Sequence, residues 1–422
     1  MYMELLQQVR VIDSVSQTDE VTDVLLNESG NYQIIASISP LELSPDTLVR
    51  DCRGLVLGNG LVDLYSHSGE PGFEERETLV SLMQSAKAGG FTRICLLPDT
   101  SPALDNPASI AQIHQKSRDI GQNLPNIYLW GALTHGVEGQ KITEFAELAE
   151  AGIVGFADGK PLTNLGMVRR ILEYLKPLSK PVAFWCCDHH LHANGMMREG
   201  SDAIRFGLPL IPYSCETSAI SALLELVATM GTPIHIMRVS TARGVELIAD
   251  AKSRGLAVTA STTWMHLLLD SKALKSYHPS LHLEPPLGNS SDMLALRRGI
   301  KDGIIDAIAI EHTPYTYEEK TVAFADAPPG AIGYELALPL LWQNLVETGE
   351  FTALELWQAL SSRPANCVQQ QLNTITSGKA AELVLFNPHQ TWKVEPRNLQ
   401  TLAANSYWYG QKLTGKVIET WC

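Results

Sequence analysis

The sequence predicts an α/β protein, namely a (β/α)8 barrel of the TIM type with a small β-sandwich domain beside it. Two observations support this prediction. Eight short apolar runs alternate with amphipathic segments from about residue 60 onward, and further strand-like runs occupy both ends of the chain. Strict β-α alternation is typical of a parallel sheet covered on both faces, and eight such units suit a closed barrel. With 422 residues, 45% of them hydrophobic, the chain can bury a core of that size.

The eight predicted barrel strands are nearly continuous apolar runs, as expected of strands that are buried on both faces. They are GLVDLYSH (60–67), FTRICLLP (91–98), NIYLWGAL (126–133), AGIVGFA (151–157), KPVAFWCC (180–187), TPIHIMRVS (232–240), LAVTAST (256–262) and IDAIAIEH (305–312). Between them the pattern predicts helices, for example over EERETLVSLMQSAKAGG (74–90), which ends in glycine as helices often do. An open doubly wound sheet would fit the same alternation, but it would need a glycine-rich phosphate loop, and neither GVEGQ (136–140) nor LGNG (57–60) makes one.

The two ends of the chain read as short strands separated by turns. The N-terminal runs are RVIDSV (10–15), DVLLNESGNYQIIASI (23–38) and LVRDCRGLVLGNG (48–60), and the C-terminal runs are GKAAELVLFNP (378–388), QTWKV (390–394) and LTGKVIETW (413–421). NESGN (27–31) lies between two apolar runs and predicts a hairpin. We predict that residues 1–58 and 372–422 form one composite β-domain and that residues 59–371 form the barrel.

Composition narrows the class of protein. The net charge of −14 and the isoelectric point near 5.3 argue against a nucleic-acid-binding protein, which would show basic patches. No uncharged run reaches the roughly 18 apolar residues of a membrane span, and the first residues lack the pattern of a signal peptide. Seven cysteines without regular spacing indicate reduced thiols rather than a disulfide framework. The expectation is a soluble cytoplasmic protein.

The stretch DLYSHSGEPG (63–72) lies where a buried strand runs into a loop, a common location for a metal site. Side chains two residues apart on a strand point to the same face, so His-x-His there would direct two imidazoles at one ion. In this chain the first position is Tyr65 and only the second, His67, is a histidine.

Several motifs, in order along nearly the whole chain, resemble those of dihydroorotases of the amidohydrolase superfamily. They include GLVDLYSHSGEPGFEERETL (60–79), LLPDTSPALDN (96–106), GALTHGVEGQKITEFAELAEAG (131–152) and IEHTPYTYEEK (310–320). The resemblance implies a (β/α)8 barrel with a side β-domain. In active members it also implies zinc-assisted ring closure of carbamoyl aspartate to dihydroorotate.

The same resemblance implies that most metal ligands are substituted here. The substituted metal-ligand positions are Tyr65, Trp185, Arg238 and Glu311. What remains as relic or candidate catalytic residues is His67, Glu311 and Asp158, and Asp158 lies in a stretch one residue shorter than the family motif. Zinc needs three or four N, S or O donors, so we expect no metal cofactor and at most one ion. We predict that Arg238 fills the metal position and pairs with Glu311 or Asp158.

Positions that bind the substrate in the family are substituted as well. They are Gly69 in place of an arginine, Asp99 and Glu284 in place of asparagines, and Tyr315 in place of a histidine. Replacing a cation with glycine and two neutral amides with carboxylates would repel an anionic substrate. A second cluster, CCDHHLH (186–192), offers metal-ligating side chains but lacks the regular spacing of a zinc site, so a solvated loop is the preferred interpretation.

These observations predict a catalytically inactive, dihydroorotase-like protein with a structural or regulatory role. The resemblance implies aspartate transcarbamoylase as its partner, because some bacterial dihydroorotase-like chains assemble with that enzyme, and we expect a homo-oligomer that binds neither nucleic acid nor membrane. The alternative is a functional dihydroorotase or another cyclic amidohydrolase with an altered, at most mononuclear, metal site. A small-molecule sensor that retains the pocket without chemistry is a third hypothesis.

Overall fold

The computed structural model describes residues 3–27, 47–375 and 382–422. Its strands in those ranges are β1 (Met3–Asp13), β2 (Thr18–Asn27), β3 (Thr47–Asp51), β4 (Val56–Asn59), β5 (Leu61–Ser66), β6 (Phe91–Leu96), β7 (Asn126–Gly131), β8 (Gly155–Phe156), β9 (Ala183–Trp185), β10 (Met197–Arg198), β11 (Leu210–Ile211), β12 (Ile234–Met237), β13 (Val258–Thr263), β14 (Ala307–Ala309), β15 (Leu383–Lys393) and β16 (Lys412–Trp421). Its α-helices there are α1 (Leu79–Ala88), α2 (Pro107–Ile120), α3 (Phe145–Glu150), α4 (Leu165–Leu175), α5 (His189–His192), α6 (Ser201–Phe206), α7 (Ser214–Met230), α8 (Ala242–Ser253), α9 (Trp264–Leu268), α10 (Ser290–Lys301), α11 (Tyr317–Lys320), α12 (Tyr334–Leu341), α13 (Ala353–Leu360) and α14 (Ser362–Cys367).

The two ends of the chain meet in one six-stranded sheet with the order β16-β15-β4-β1-β2, in which β3 also pairs with β1. β4 and β15 run antiparallel, with Val56 opposite Phe386 and Asn59 opposite Leu383, and this pairing joins the N-terminal segment to the C-terminal one. The second layer of a sandwich and the domain boundaries stay predictions. The hairpin predicted at NESGN (27–31) lies outside the described residues from Glu28 onward.

β10 and β11 pair with each other in a two-stranded sheet. Eight other parallel strands each overlap one of the eight predicted apolar runs, and of these only β13 extends beyond its run, by one residue to Thr263. They make two sheets, β5-β6-β7-β8 and β14-β13-β12-β9. Hydrogen bonds link the outer strands of the two sheets at both ends. Phe156 N–H donates to the Pro181 carbonyl at 2.9 Å, and Glu311 N–H donates to the Tyr65 carbonyl at 3.1 Å. The second link brings the carboxyl ends of β5 and β14 side by side.

Asp63 in β5 reinforces the link between β5 and β14. Its carboxylate is fully buried and accepts hydrogen bonds from the Ile310 N–H at 2.9 Å, the Ser66 hydroxyl at 2.5 Å and the Tyr334 hydroxyl at 3.0 Å. Burial raises the pKa of Asp63 to about 7, although these donors oppose the shift. Buried polar groups need such partners, and here they fix the two strands whose ends carry Tyr65 and Glu311.

Two local features differ from the sequence-based prediction. The helix predicted over 74–90 begins only at Leu79, because Thr78 caps it by accepting a hydrogen bond from Ser81 N–H. Between β9 and α7 the chain makes an unpredicted excursion, residues 188–213, that contains α5, β10, α6 and β11. In the part of the chain that is described, no helix is both long and apolar enough to cross a membrane.

Candidate functional site

A cavity of about 250 Å³ opens at the carboxyl ends of the parallel strands. Eight of the predicted site positions line it, namely His67, Gly69, Asp99, Trp185, Arg238, Glu284, Glu311 and Tyr315. Tyr65 and Asp158 are not among its lining residues. The fold therefore gathers at one place residues that the sequence spreads over most of its length, and this is the face at which barrel enzymes build their sites.

Tyr65 is fully buried at the end of β5, and its hydroxyl is already partnered. The hydroxyl accepts a 3.0 Å hydrogen bond from Arg238 N–H and lies 2.8 Å from Ser261 Oγ, which lies 2.8 Å from His235 Nε2. Burial, with the nearby charge of Glu311, raises the pKa of Tyr65 well above its usual value. The phenol is therefore neutral and held by two partners, which makes it a poor ligand for a metal.

Arg238 follows β12 directly and is only 3% exposed. Its guanidinium forms an ion pair with the Glu311 carboxylate and donates a 2.7 Å hydrogen bond to the Gly159 carbonyl. It also lies 4.7 Å from the centroid of the Trp185 ring. A buried arginine requires a partner, and of the two that the sequence left open, Glu311 and Asp158, the structure pairs it with Glu311. Burial alone would raise the pKa of Glu311, but the charge of Arg238 holds it below its ordinary value.

The backbone at both members of this ion pair is left-handed, with φ of 58° at Arg238 and 51° at Glu311. This conformation costs a residue other than glycine on the order of 1–2 kcal/mol. Residues in such conformations persist only where their surroundings enforce them, and they cluster at functional sites. Here each one lies just beyond a parallel strand and lines the cavity, so the strained turns place the guanidinium and the carboxylate together.

His67 is paired with an acid on each side of its ring. Nδ1 lies 2.7 Å from Asp99 Oδ2, and Nε2 lies 3.7 Å from Glu311 Oε1. Burial disfavours the charged ring, but the charge and hydrogen bond of Asp99 outweigh it and raise the pKa of His67 to about 9. The pairing with Asp99 thus favours the imidazolium form of His67 at neutral pH, in which both nitrogens carry protons, while the charge of Arg238, whose Nη2 lies 3.4 Å from Nε2, lowers its pKa and opposes that form. Metal ions bind the neutral imidazole, so this pairing competes with metal binding.

Asp158 is buried and belongs to a different network. Its carboxylate accepts hydrogen bonds from the N–H groups of Leu133 and Thr134, at 2.7 and 3.0 Å, and from the Thr134 hydroxyl at 2.6 Å. Burial raises the pKa of Asp158 against these donors. Its neighbour Gly159 reaches the cavity wall instead. The structure therefore does not bring Asp158 together with His67 and Glu311.

None of the four predicted substrate positions supplies a cation to the cavity. A Cβ added at Gly69 would lie 2.4 Å from the Glu77 carbonyl oxygen, so no side chain fits there without moving the backbone. Asp99 and Glu284 place carboxylates on the cavity wall. Tyr315 lines the same wall, and burial raises its pKa to about 12.

Two cations on the cavity wall, Arg76 and Lys160, are absent from the sequence-based prediction. The Arg76 guanidinium lies 4.3 Å from the Phe73 ring and 4.9 Å from the Tyr315 ring, and its Nε lies 2.9 Å from Glu319 Oε1. Arg76 fell inside a segment predicted as helix, so the sequence offered no signal for it. Lys160 is exposed and ends the stretch GFADGK (155–160), which did point to this part of the cavity.

The CCDHHLH segment (186–192) does not converge on one point. Cys186 and Cys187 are buried, whereas His189 and His190 are exposed, and Asp188 caps α5 by accepting backbone hydrogen bonds. Across residues 3–27, 47–375 and 382–422, no group of three or more His, Cys, Asp or Glu side chains is arranged to hold a metal ion.

Comparisons with known proteins point to the same family as the sequence motifs. Residues 54–243 match a family model described as dihydro-orotase-like. The chain is 42% identical to a probable dihydroorotase-like protein of Synechocystis, with 97% of this chain and 98% of that protein covered. It is 36% identical to a dihydroorotase of Syntrophus aciditrophicus, with 99% of this chain and 97% of that protein covered.

Solved structures show a similar α/β fold. An L-hydantoinase (dihydropyrimidinase) from Arthrobacter aurescens has a TM-score of 0.84 at 22% identity, covering 100% of this chain and 94% of that one. A D-hydantoinase has a TM-score of 0.80 at 18% identity, again covering 100% of this chain and 94% of that one. At these identities the likeness concerns the fold alone.

The ion pair predicts strongly non-additive effects of mutation. Arg238→Met and Glu311→Leu should each lower the free energy of unfolding by about 3 kcal/mol, because each leaves a buried charge without its partner. The double variant should lose clearly less than the sum, since neither charge remains. Urea unfolding measures all three, with Arg243→Met as the control, because its pair with Glu246 is exposed. Additive losses would show that the two side chains are not coupled.

The His67–Asp99 pair predicts a stability that depends on pH. The folded-state pKa of His67, about 9, exceeds the ordinary value of 6.5. The stabilisation is therefore complete below pH 6.5 and is lost as the pH rises through 9. The urea midpoint of the wild type should fall across this window, whereas His67→Gln should flatten the dependence and His389→Gln, at an exposed position, should not. Identical slopes in the wild type and His67→Gln would contradict the pairing.

Proposed function

This chain belongs to the dihydroorotase-like family, and from that premise we propose that it is a non-catalytic member, a pseudoenzyme that acts as a structural or regulatory partner of aspartate transcarbamoylase in pyrimidine biosynthesis. One observation carries the proposal. The Arg238 guanidinium, a permanent cation, is buried in the cavity and paired with Glu311, the residue that stands at the family's metal-binding and general-base position.

The donor set supports the loss of zinc. A zinc site needs three or four donors, but Tyr65 is a neutral, doubly partnered phenol and His67 is an imidazolium paired with Asp99. Arg238 adds positive charge beside any ion, and two like charges a few ångströms apart repel in a pocket shielded from water. The residues present do not fit the binuclear zinc centre of the active relatives, so no catalytic step is assigned to it.

The substrate positions support the same proposal. An active member would bind a dicarboxylate with an arginine at the position of Gly69, where the backbone leaves no space for a side chain. Glu284 and Asp99 present carboxylates to the cavity instead. Arg76 also lines the cavity, but it is not an unpaired cation that could take the place of the missing arginine, because it already forms an ion pair with Glu319.

The remaining features are inferred from the same premise. The hydrogen bonds that link β8 to the residues before β9, and β14 to β5, support a closed (β/α)8 barrel over residues 59–371, and the shared terminal sheet supports a composite β-domain from residues 1–58 and 372–422. We infer a cytoplasmic homo-oligomer. Aspartate transcarbamoylase is proposed as the partner by family resemblance, and exposed apolar residues in and just after α11, namely Tyr317 (66% exposed) and Val322 (41% exposed), support that part of the surface as a contact surface.

A second candidate function is catalysis by an altered site with at most one metal ion. The observation that favours it is the convergence of His67, Asp99 and Glu311 in one cavity, in a chain that is 36% identical to a dihydroorotase. In that case Glu311 would act as the general base. It would have to separate from Arg238 before it could accept a proton.

The two candidates predict different outcomes of an activity assay. The non-catalytic proposal expects no turnover of carbamoyl aspartate or dihydroorotate above the protein-free rate, with or without added zinc, while an active dihydroorotase in parallel shows that the assay works. The alternative expects turnover that Glu311→Ala abolishes and Glu318→Ala, a change outside the cavity lining, preserves. Turnover with that pattern would overturn the proposal.

The partner is tested by size-exclusion chromatography with the aspartate transcarbamoylase of the same organism. We expect co-elution that is unaffected by Glu311→Ala, because the proposed role does not use the cavity. Tyr317→Glu should weaken co-elution if the surface around α11 is the interface, and Leu294→Glu, at an exposed position of α10, tests the helix side instead. Separate elution of the two wild-type proteins at micromolar concentration would contradict the partnership.

A further inference from the structure

Two buried thiols that do not line the cavity lie in contact, one in the segment after β9 and the other in α7. The Sγ atoms of Cys187, which follows β9, and Cys215, in the first turn of α7, are 3.2 Å apart. The residues are 8% and 2% exposed. The main chain holds both sides of the contact, because Asp188 N–H donates to the Cys215 carbonyl at 2.8 Å and the Cys215 thiol donates to the Asp188 carbonyl at 3.2 Å.

The contact is specific to one of two adjacent cysteines. Cys186 and Cys187 are consecutive residues that follow β9, but their side chains pack into different buried clusters. Cys187 and Cys215 belong to the same buried cluster, whereas Cys186 packs into the larger cluster. Neither thiol has a part in the proposed function.

We propose that Cys187 and Cys215 form a reversible dithiol–disulfide site that closes the excursion 188–213 at its base. The excursion leaves the sheet directly after Cys187 and returns directly before α7. It carries exposed apolar side chains, including Leu191, Ile204 (76% exposed) and Leu210. A covalent bond between its two ends would restrict how far this segment opens and so how it presents those side chains.

The chemistry requires an oxidant, which is a small-molecule disulfide such as glutathione disulfide. The thiolate of one cysteine attacks the reagent, forms a mixed disulfide and releases one thiol. The thiolate of the second cysteine then attacks the protein-bound sulfur, forms the Cys187–Cys215 bond and releases the second thiol. The protein loses two electrons and two protons, and these are taken up by the two thiol molecules released from the reagent. The short distance between the Sγ atoms favours this second step over reaction between chains.

The test incubates the full chain in glutathione buffers with an increasing share of the disulfide form. The expected result is a loss of two hydrogen atoms from the intact mass and a linked pair of peptides that contain Cys187 and Cys215, both reversed by dithiothreitol. Cys186→Ala is the matched control and should keep the link, whereas Cys187→Ala and Cys215→Ala should abolish it. Circular dichroism of the reduced variants checks that each one folds.

Two further readouts on the wild type do not depend on any variant. Oxidation should raise the apparent melting temperature by a few degrees, because the cross-link restricts the unfolded chain. It should also slow proteolytic cleavage within residues 188–213. A native chain that stays reduced in buffers where the urea-denatured chain becomes oxidised would overturn the proposal, as would a link that survives Cys187→Ala but not Cys186→Ala.

Discussion

The ion pair between Arg238 and Glu311 is the interaction on which the arrangement of the cavity depends. It places a permanent cation at the carboxyl ends of β12 and β14, and the guanidinium is also held by the Gly159 carbonyl and the Trp185 ring. His67 and Asp99 form a second pair beside it, and His67 Nε2 lies within 4 Å of both Glu311 and Arg238. The fixed charges of these four side chains balance one another, which leaves little unpaired negative charge to attract a divalent ion.

The backbone at the ends of two parallel strands positions the ion pair. Left-handed turns follow β12 and β14 and direct Arg238 and Glu311 into the cavity. The fold itself is similar to that of hydantoinases, and the sequence relatives include both dihydroorotases and a probable dihydroorotase-like protein. The sequence relatives show the family and the structural likeness shows the fold. Because function depends on the side chains placed on a fold rather than on the fold, the chemistry has to be argued from the cavity.

The sequence predicted the parallel strands better than it predicted helix starts and the partners of individual side chains. Each of the eight parallel strands that flank the cavity overlaps a predicted run, and seven lie entirely within theirs, because burial on both faces leaves a continuous apolar signature. The predicted start of α1 was wrong, because the N-cap at Thr78 makes the helix begin later than the amphipathic pattern suggests. The choice between Glu311 and Asp158 as the partner of Arg238, and the crowding at Gly69, depend on three-dimensional distances that spacing along the chain does not encode.

The most direct test of the central claim is the number of zinc ions per chain. The protein would be purified without chelators, dialysed against a zinc buffer and then a zinc-free buffer, and analysed by mass spectrometry beside Arg238→His and an active dihydroorotase. The account predicts no stoichiometric zinc in the wild type, since Arg238 and the protonated His67 stand where ligands are needed. Two ions per chain, or one ion that is lost in His67→Ala, would contradict it.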